Sequence, residues 1–395
     1  LAGMIFIGLM WVYAIKGDLI TGFFLRIRSR ITLMGNQERN ILRRLEAYAP
    51  VAQMVTNRLL IAMHLHIPGI LFRKLDVKNA YINENMKRKV WCRVPPGYQA
   101  VPTTNNGWTL RRLRAGEKQD PTSCLPVWKA LYGGMECGRI FWEAWVDWHL
   151  SDGFQIIHEE RCYLVKRDNK GNFIKLAYHV DDNLVAALGL GFYQEYINRL
   201  TVKFDVSEDP LSDHLGVFYD FDRVAGTCSM SQSAQIVKLL RLFGMENCKP
   251  ADAPTMPGPA PCQADCETPC DVKWDMEAFV GHVLWLYMCT RPDVGQPLKV
   301  LPRFTKKSGA RHVDYAKHVL RYLKGTLNQA LVYRSGFPLY FQVFTDASHA
   351  SCVDTRRSIL SIVVKFGGMT VYWKNSFSTI VSHSSCESEL FALDI

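Results

Sequence analysis

The chain has 395 residues, 47 Lys+Arg against 37 Asp+Glu, and a formal charge of +10. That length predicts two or three domains, and 48% hydrophobic with 12% aromatic residues excludes a wholly disordered chain. The positive excess favours an anionic partner, nucleic acid first and a membrane surface second. The 12 cysteines are scattered, which points to reduced thiols in an intracellular compartment rather than a disulfide framework.

Residues 1–15 carry no charge. They fall short of the ~20 residues that a membrane-crossing helix needs, and no basic segment precedes them as in a secretion signal. They read as a strand buried in a longer protein, with a membrane anchor as the alternative. The start at Leu1 and the stop at Ile395, inside an apolar-periodic stretch, give both ends the look of cuts.

Leu71-Phe-Arg-Lys-Leu-Asp-Val-Lys-Asn-Ala-Tyr81 places Asp76 at the end of a short strand, with Tyr81 five residues on. On spacing alone Asp76 is a surface strand-end acid. Phe173 to Ala187 sets Asp181-Asp182 between two β-rich runs, which predicts a tight hairpin with the acids at its tip. Paired acids at a turn are commonplace, but apolar runs on both sides would hold these at the end of a buried sheet. Two strands offering Asp76 and Asp181 can hold two hard divalent cations through oxygen. Such a pair of ions suits in-line phosphoryl displacement.

Five prolines between Pro254 and Pro269 read as a linker. Within it Cys262, Cys266 and Cys270 are spaced by four. They could ligate zinc with a fourth ligand from elsewhere, but no C-x-x-C pair or matched His accompanies them, and an incidental cluster is favoured. Residues 276–326 are helical in pattern, broken at Thr290-Arg-Pro-Asp293 and ended by Gly325. His312, Lys317, His318, Arg321 and Lys324 crowd the second helix, either as a solvated surface or along a phosphate backbone. From Leu339 the texture turns to strands, Ile359 to Phe366 and Thr370 to Trp373 among them, and Ser384 with Glu387 forms a capping box before a final helix.

Several landmarks then fall in one order. They include Trp11-Val12, Arg28-Ser-Arg30, Gly35, Tyr48-Ala-Pro-Val51, Asp76-Val-Lys-Asn-Ala-Tyr81, Pro95-Pro-Gly-Tyr98, Leu131-Tyr-Gly133 and Val180-Asp-Asp182. Downstream follow Leu239-Leu with Phe243-Gly-Met245, Thr290-Arg-Pro-Asp-Val294 and Leu320-Arg-Tyr-Leu-Lys-Gly-Thr326. Thr345-Asp-Ala347, Arg356-Arg-Ser358 and Ser385-Cys-Glu-Ser-Glu-Leu390 complete them. In this order the chain resembles the reverse transcriptase of copia-type long-terminal-repeat retrotransposons, followed by the start of their ribonuclease H domain.

The resemblance implies an α+β fold. A right-hand polymerase of fingers, palm and thumb would precede a helical connection and a truncated ribonuclease H-like α/β domain. The implied boundaries are fingers and palm over 1–253, a Pro/Cys-rich linker over 254–275, a helical thumb or connection over 276–335 and the partial nuclease-like domain over 336–395. Asp76, Asp181 and Asp182 would be catalytic, with Asp76 and Asp181 binding two Mg2+ (or Mn2+) ions and Asp182 supporting them. Tyr81 would lie beneath the incoming sugar and clash with a ribose 2′-hydroxyl, which favours deoxynucleotides. Lys16, Arg28 and Arg30 would grip the triphosphate. Asp346 and Glu389 would be the first two acids of the nuclease-like domain. The family's remaining acids find no match before Ile395, so hybrid cleavage is not expected. The implied partners are an RNA or DNA template with its primer and a dNTP, without a membrane and in an oligomeric state the sequence does not give. The place of action would be intracellular, in a cytoplasmic particle or the nucleus, with no secretion signal.

Four positions depart from the family's pattern. His179 stands where Tyr is usual, Gly134-Met-Glu136 replaces Leu-Lys-Gln, Asn83-Glu84 replaces Asn-Gly, and Ser361 replaces a glycine. These departures keep a second reading open, a catalytically degenerate nucleic-acid-binding remnant of the same element.

Overall fold

The computed structural model describes residues 5–17, 24–38, 48–103, 107–120, 123–270 and 272–394, less some side chains of the first three strands. It divides into two units, residues 1–52 with 71–210 and residues 53–70 with 211–395. Among the described residues no helix is long and apolar enough to cross a membrane.

The first unit is organised by strands. They are β1 (Ile5–Ile7), β2 (Leu9–Gly17), β3 (Phe24–Leu33), β4 (Leu71–Val77), β5 (Asn85–Arg93), β6 (Tyr98–Pro102) and β7 (Trp108–Arg112). There follow β8 (Cys124–Lys129), β9 (Gln155–Ile157), β10 (Glu160–Arg167), β11 (Phe173–His179), β12 (Asp182–Leu188) and β13 (Val206–Pro210). Six of them form one antiparallel sheet in the order β13-β4-β12-β11-β10-β9. Side chains alternate faces along a strand, yet Ile174–Tyr178 on β11 and Asn183–Ala187 on β12 are buried without a break. Both faces of the central strands are therefore covered. Helices Cys137–Ser151 and Leu190–Lys203 supply part of that cover. Phe141 and Trp145 of the first helix pack on Tyr178 and Phe204.

A smaller sheet, β1-β5-β8, encloses Ile7, Leu33, Val90 and Cys92, and β2–β3 and β6–β7 are two-stranded ribbons. The uncharged N-terminal stretch is thus split between strands rather than buried as one. Ile7 is enclosed, while Met10 to Tyr13 on β2 are exposed. Gly35 and Gly133 are required by closeness: a Cβ on Gly35 would lie 2.0 Å from the Gly133 carbonyl oxygen, and one on Gly133 2.1 Å from that of Leu33. Two of the family landmarks meet at this point of contact.

In the second unit β14 (Asp213–His214), β15 (Val217–Asp222), β16 (Thr227–Ser231) and β17 (Leu331–Arg334) pair in order. Helices Ser233–Leu242, Met276–Cys289 and Ala310–Gly325 share an apolar core that includes Leu239, Phe279, Val283, Leu286, Val319 and Leu323. The buried Arg58, on helix Met54–His64, donates to the carbonyls of Val371, Met288 and Cys289 and lies 4.0 Å from the Trp373 ring centroid. Burial in that apolar setting lowers its pKa.

The crowd of cations on Ala310–Gly325 is put to a local use. His318, Arg321 and Lys324 bond the carbonyls of Ala253, Lys249 and Cys248, and His312 is buried, its Nδ1 accepting from the Gly309 N–H. Three of the five residues in that crowd thus fasten the segment before the Pro-rich stretch. Within that stretch the Cys266 thiol donates to the Lys307 carbonyl and Cys270 packs against the helical core. Among the described residues no three His, Cys, Asp or Glu side chains are gathered to hold a metal.

The third sheet of the unit, β18 (Phe341–Ser348), β19 (Ile359–Phe366) and β20 (Met369–Phe377), carries helix Ser385–Leu393. Alternation along β18 predicts one buried face, but Phe341, Val343 and Phe344 are all exposed. The final helix is capped by Ser384 Oγ, which accepts from the Glu387 N–H, while Glu387 reaches back to the His383 N–H.

Candidate active site

The β11–β12 hairpin turns through Val180 and Asp181, with His179 paired to Asp182. Val180 has φ +57°, a left-handed conformation costly for a β-branched residue. A positive φ at the first of two turn residues is the backbone form that closes twisted hairpins. Glycine is usual there, and valine is held in its place. On its other side β12 pairs with β4, and the register sets Asp182 directly opposite Asp76. The Asp181 carbonyl accepts from the Val77 N–H at 2.9 Å and from Asn183 Nδ2 at 3.2 Å, which ties the turn to the end of β4.

Asp76, Asp181 and Asp182 therefore stand at one end of the six-stranded sheet, each half-buried. Burial raises the Asp182 pKa and the Asp181 and Asp76 charges add to it, against the Lys74 ammonium 4.0 Å away. A carboxylate whose pKa is raised by its acidic neighbours stands in surplus negative charge, and hard oxygen donors in that condition suit divalent cations. The donor chemistry fits Mg2+ or Mn2+, although the three side chains do not close into a ready cage.

Tyr81 lies on the short helix Ala80–Asn83 that follows β4. Burial and the Asp181 charge push its phenol up to about 12. Its ring centroid is 4.7 Å from that of Tyr132 and 6.2 Å from that of Phe141. The Arg30 guanidinium sits 5.1 Å from the Tyr132 centroid. A sequence of contacts thus runs from Arg30 through Tyr132 to Tyr81 and on to the charge of Asp181. Tyr132 was legible only as the middle of Leu131-Tyr-Gly133; its place between Arg30 and Tyr81 needs the fold. Lys16 and Arg28 occupy β2 and β3 with Arg30, but their side chains lie outside the described residues.

Two departures gain a physical account. Glu136 is buried, but Arg88 donates to it at 2.8 Å and also lies 3.6 Å from buried Glu38. Glu38 in turn accepts from the Met135 N–H at 2.7 Å. The added acid is held by a guanidinium and does not stand as a free charge. Ser361 lies directly across β18–β19 from Asp346. Glu389 reaches the same strand, accepting from the Ala347 N–H at 3.4 Å. Asp346 and Ser361, with Arg303 and Asn375, also line a cavity of about 280 Å³ within the second unit.

Residues 3–257 match the family model described as reverse transcriptase (RNA-dependent DNA polymerase). The chain belongs to the reverse transcriptase family. It is 25% identical over 388 residues to the retrovirus-related Pol polyprotein from transposon TNT 1-94 of Nicotiana tabacum, covering 97% of this chain and 28% of that one. To the Pol polyprotein from transposon RE1 of Arabidopsis thaliana it is 25% identical over 384 residues, 97% of this chain and 25% of the relative. The chain spans about a quarter of the length of these relatives. The expected kinship with transposon Pol polyproteins holds across nearly all of it, and the reverse transcriptase match covers residues 3–257.

Proposed function

We propose that this chain is the RNA-directed DNA polymerase part of a copia-type retrotransposon polyprotein, adding dNTPs to a primer 3′-hydroxyl on an RNA or DNA template. The observation that carries this reading is Asp76 facing Asp182 across β4 and β12, with Asp181 in the adjoining turn. In this reading the six-stranded sheet is the palm, residues 1–253 hold fingers and palm, 254–275 a linker, 276–335 a thumb or connection, and 336–395 a nuclease-like segment around Asp346 and Glu389.

Asp76 and Asp181 would hold two Mg2+ (or Mn2+) ions, and Asp182 would support them from the neighbouring strand position. The ions, when bound, supply charge neutralisation at the triphosphate and a lower pKa at the primer hydroxyl. Tyr81 braces the sugar with its ring, fixed from behind by Tyr132 and Phe141, and a ribose 2′-hydroxyl would meet that ring. Arg30, with Lys16 and Arg28 on the same ribbon, contributes phosphate-binding charge.

A degenerate nucleic-acid-binding remnant is the second reading, and His179 beside Asp182 is the feature that favours it. Primer extension separates the two. The polymerase reading requires magnesium-dependent incorporation by the purified chain that is lost in Asp181→Asn. Salt-sensitive binding to primer–template without incorporation establishes the remnant.

A further inference from the structure

The sugar-facing role proposed for Tyr81 requires its ring to stand still. Ribose differs from deoxyribose by one oxygen, and a ring that yields by about 1 Å would admit it. Tyr81 lies on a helix of only four residues, Ala80–Asn83, entered through Asn79 at φ +52°. So short an element places the backbone, while the ring takes its position from its neighbours. Two rings border it. Phe141 is fully buried and anchored on Trp145, Tyr178 and Phe204. It meets the Tyr81 ring edge-on, at 67° with centroids 6.2 Å apart. Tyr132 stands closer, at 4.7 Å and a tilt of 47°.

Tyr132 is itself held from β3. Its carbonyl accepts from the Leu33 N–H at 2.7 Å, and Leu33 is buried in the core of the β1-β5-β8 sheet. The next residue, Gly133, has φ +90° and lies so near β3 that a Cβ there would stand 2.1 Å from the Leu33 carbonyl oxygen. Three residues back along the same strand, the Arg30 guanidinium approaches the Tyr132 ring at 5.1 Å. One strand therefore fastens both the backbone and the ring of Tyr132. The side chain is only half-buried, so core packing does not by itself account for so close a hold.

We infer that Tyr132 is a positioning residue for sugar selection: it ties the Tyr81 ring to β3 and so sets how strictly a 2′-hydroxyl is refused. The inference rests on the polymerase reading, since it takes Tyr81 to meet the sugar. The test reads nucleotide binding rather than turnover. The purified chain is mixed with magnesium, a primer–template whose primer ends in a dideoxynucleotide, and the complementary dNTP or rNTP. The concentration of each nucleotide that protects the complex from a competitor DNA trap is then measured. Wild type should prefer the dNTP. Tyr132→Leu, which keeps bulk and loses the ring, should cut that preference about tenfold, chiefly through tighter rNTP binding. Tyr132→Phe should retain it. Tyr132→Met serves the same purpose if the leucine variant loses its hold on primer–template. An unchanged preference in the leucine or methionine variant, or equal weakening toward both nucleotides, overturns the inference, because a merely structural ring would treat both sugars alike. So does the same loss in Tyr132→Phe, which would assign the effect to the hydroxyl. Tyr81→Ala separates this inference from the reading beneath it. A preference abolished by Tyr81→Ala but untouched by Tyr132→Leu removes Tyr132 alone, whereas a wild type that binds neither nucleotide removes the polymerase reading and Tyr132 with it.

Discussion

Asp76 and Asp182 occupy directly opposed positions on antiparallel β4 and β12, so two carboxylates share the end of one sheet. Neighbours of like charge work against each other, and the raised pKa of Asp182 reflects Asp76 among its causes. Removing one charge should therefore relieve the fold while disabling the chemistry. Asp76→Asn is expected to lower primer extension at least about a hundredfold. It should leave primer–template affinity intact and not reduce the melting temperature. A variant that unfolds earlier would show that Asp76 is held for stability.

Val180 tests the same site through its backbone. A left-handed residue of this type stores about 1–3 kcal/mol, and glycine would release it at some entropic cost. Val180→Gly should raise the urea midpoint by the equivalent of roughly 1 kcal/mol, with an unchanged denaturant slope. Extension by the same variant should fall, because a freer turn positions Asp181 less firmly. A lower midpoint would mean that the valine side chain contributes more through packing than its backbone costs.

Much of this was legible because short-range physics writes it into the chain. Apolar runs either side of Asp181-Asp182 gave the hairpin, and Pro292 and Gly325 marked helix ends. What could not be read was which distant segments meet. Gly35 was one landmark in an ordered series, and that the Gly133 carbonyl comes against it could not be read from the chain. Ser358 and Ser388 belong to separate motifs yet hydrogen-bond at 3.0 Å. The cations at His318, Arg321 and Lys324 read as either a solvated surface or a phosphate-binding face because charge alone does not reveal a carbonyl partner more than 60 residues away. The site showed the same limit: the acids were readable from flanking patterns, while Tyr132 and Arg88 gained roles only through long-range packing.

Arg291 joins two further landmarks, Thr290 to Val294 and Leu320 to Thr326. It is 1% exposed, forks onto Asp293 at 2.7 to 3.1 Å and reaches Thr326 Oγ1 at 2.6 Å, while the Tyr322 hydroxyl donates to the same Asp293. Breaking a buried pair from one side strands the other charge. Arg291→Leu should cost about 3–5 kcal/mol in chemical denaturation, with loss concentrated in the second unit. Hydrogen exchange would show this as deprotection of helix Ala310–Gly325. Exchange confined to the first unit would place the network outside the stabilising core.

A pH response is expected from His149. It is fully buried, its Nδ1 lies 2.8 Å from the Trp145 carbonyl and its Nε2 2.9 Å from the Tyr196 hydroxyl. A carbonyl only accepts, so Nδ1 carries the proton and the neutral ring's Nε2 accepts from Tyr196. Burial pulls the imidazole pKa down to about 4 from an ordinary 6.5. The unfolded chain therefore binds a proton that the folded one refuses throughout that interval. His149's contribution is complete above about pH 6.5 and is lost as pH falls toward 4, to a total of about 3 kcal/mol. Melting temperature followed through this window should decline in the native protein. In His149→Gln, which starts lower for want of packing, the decline should be markedly flatter; a parallel decline would assign the acid sensitivity to other groups.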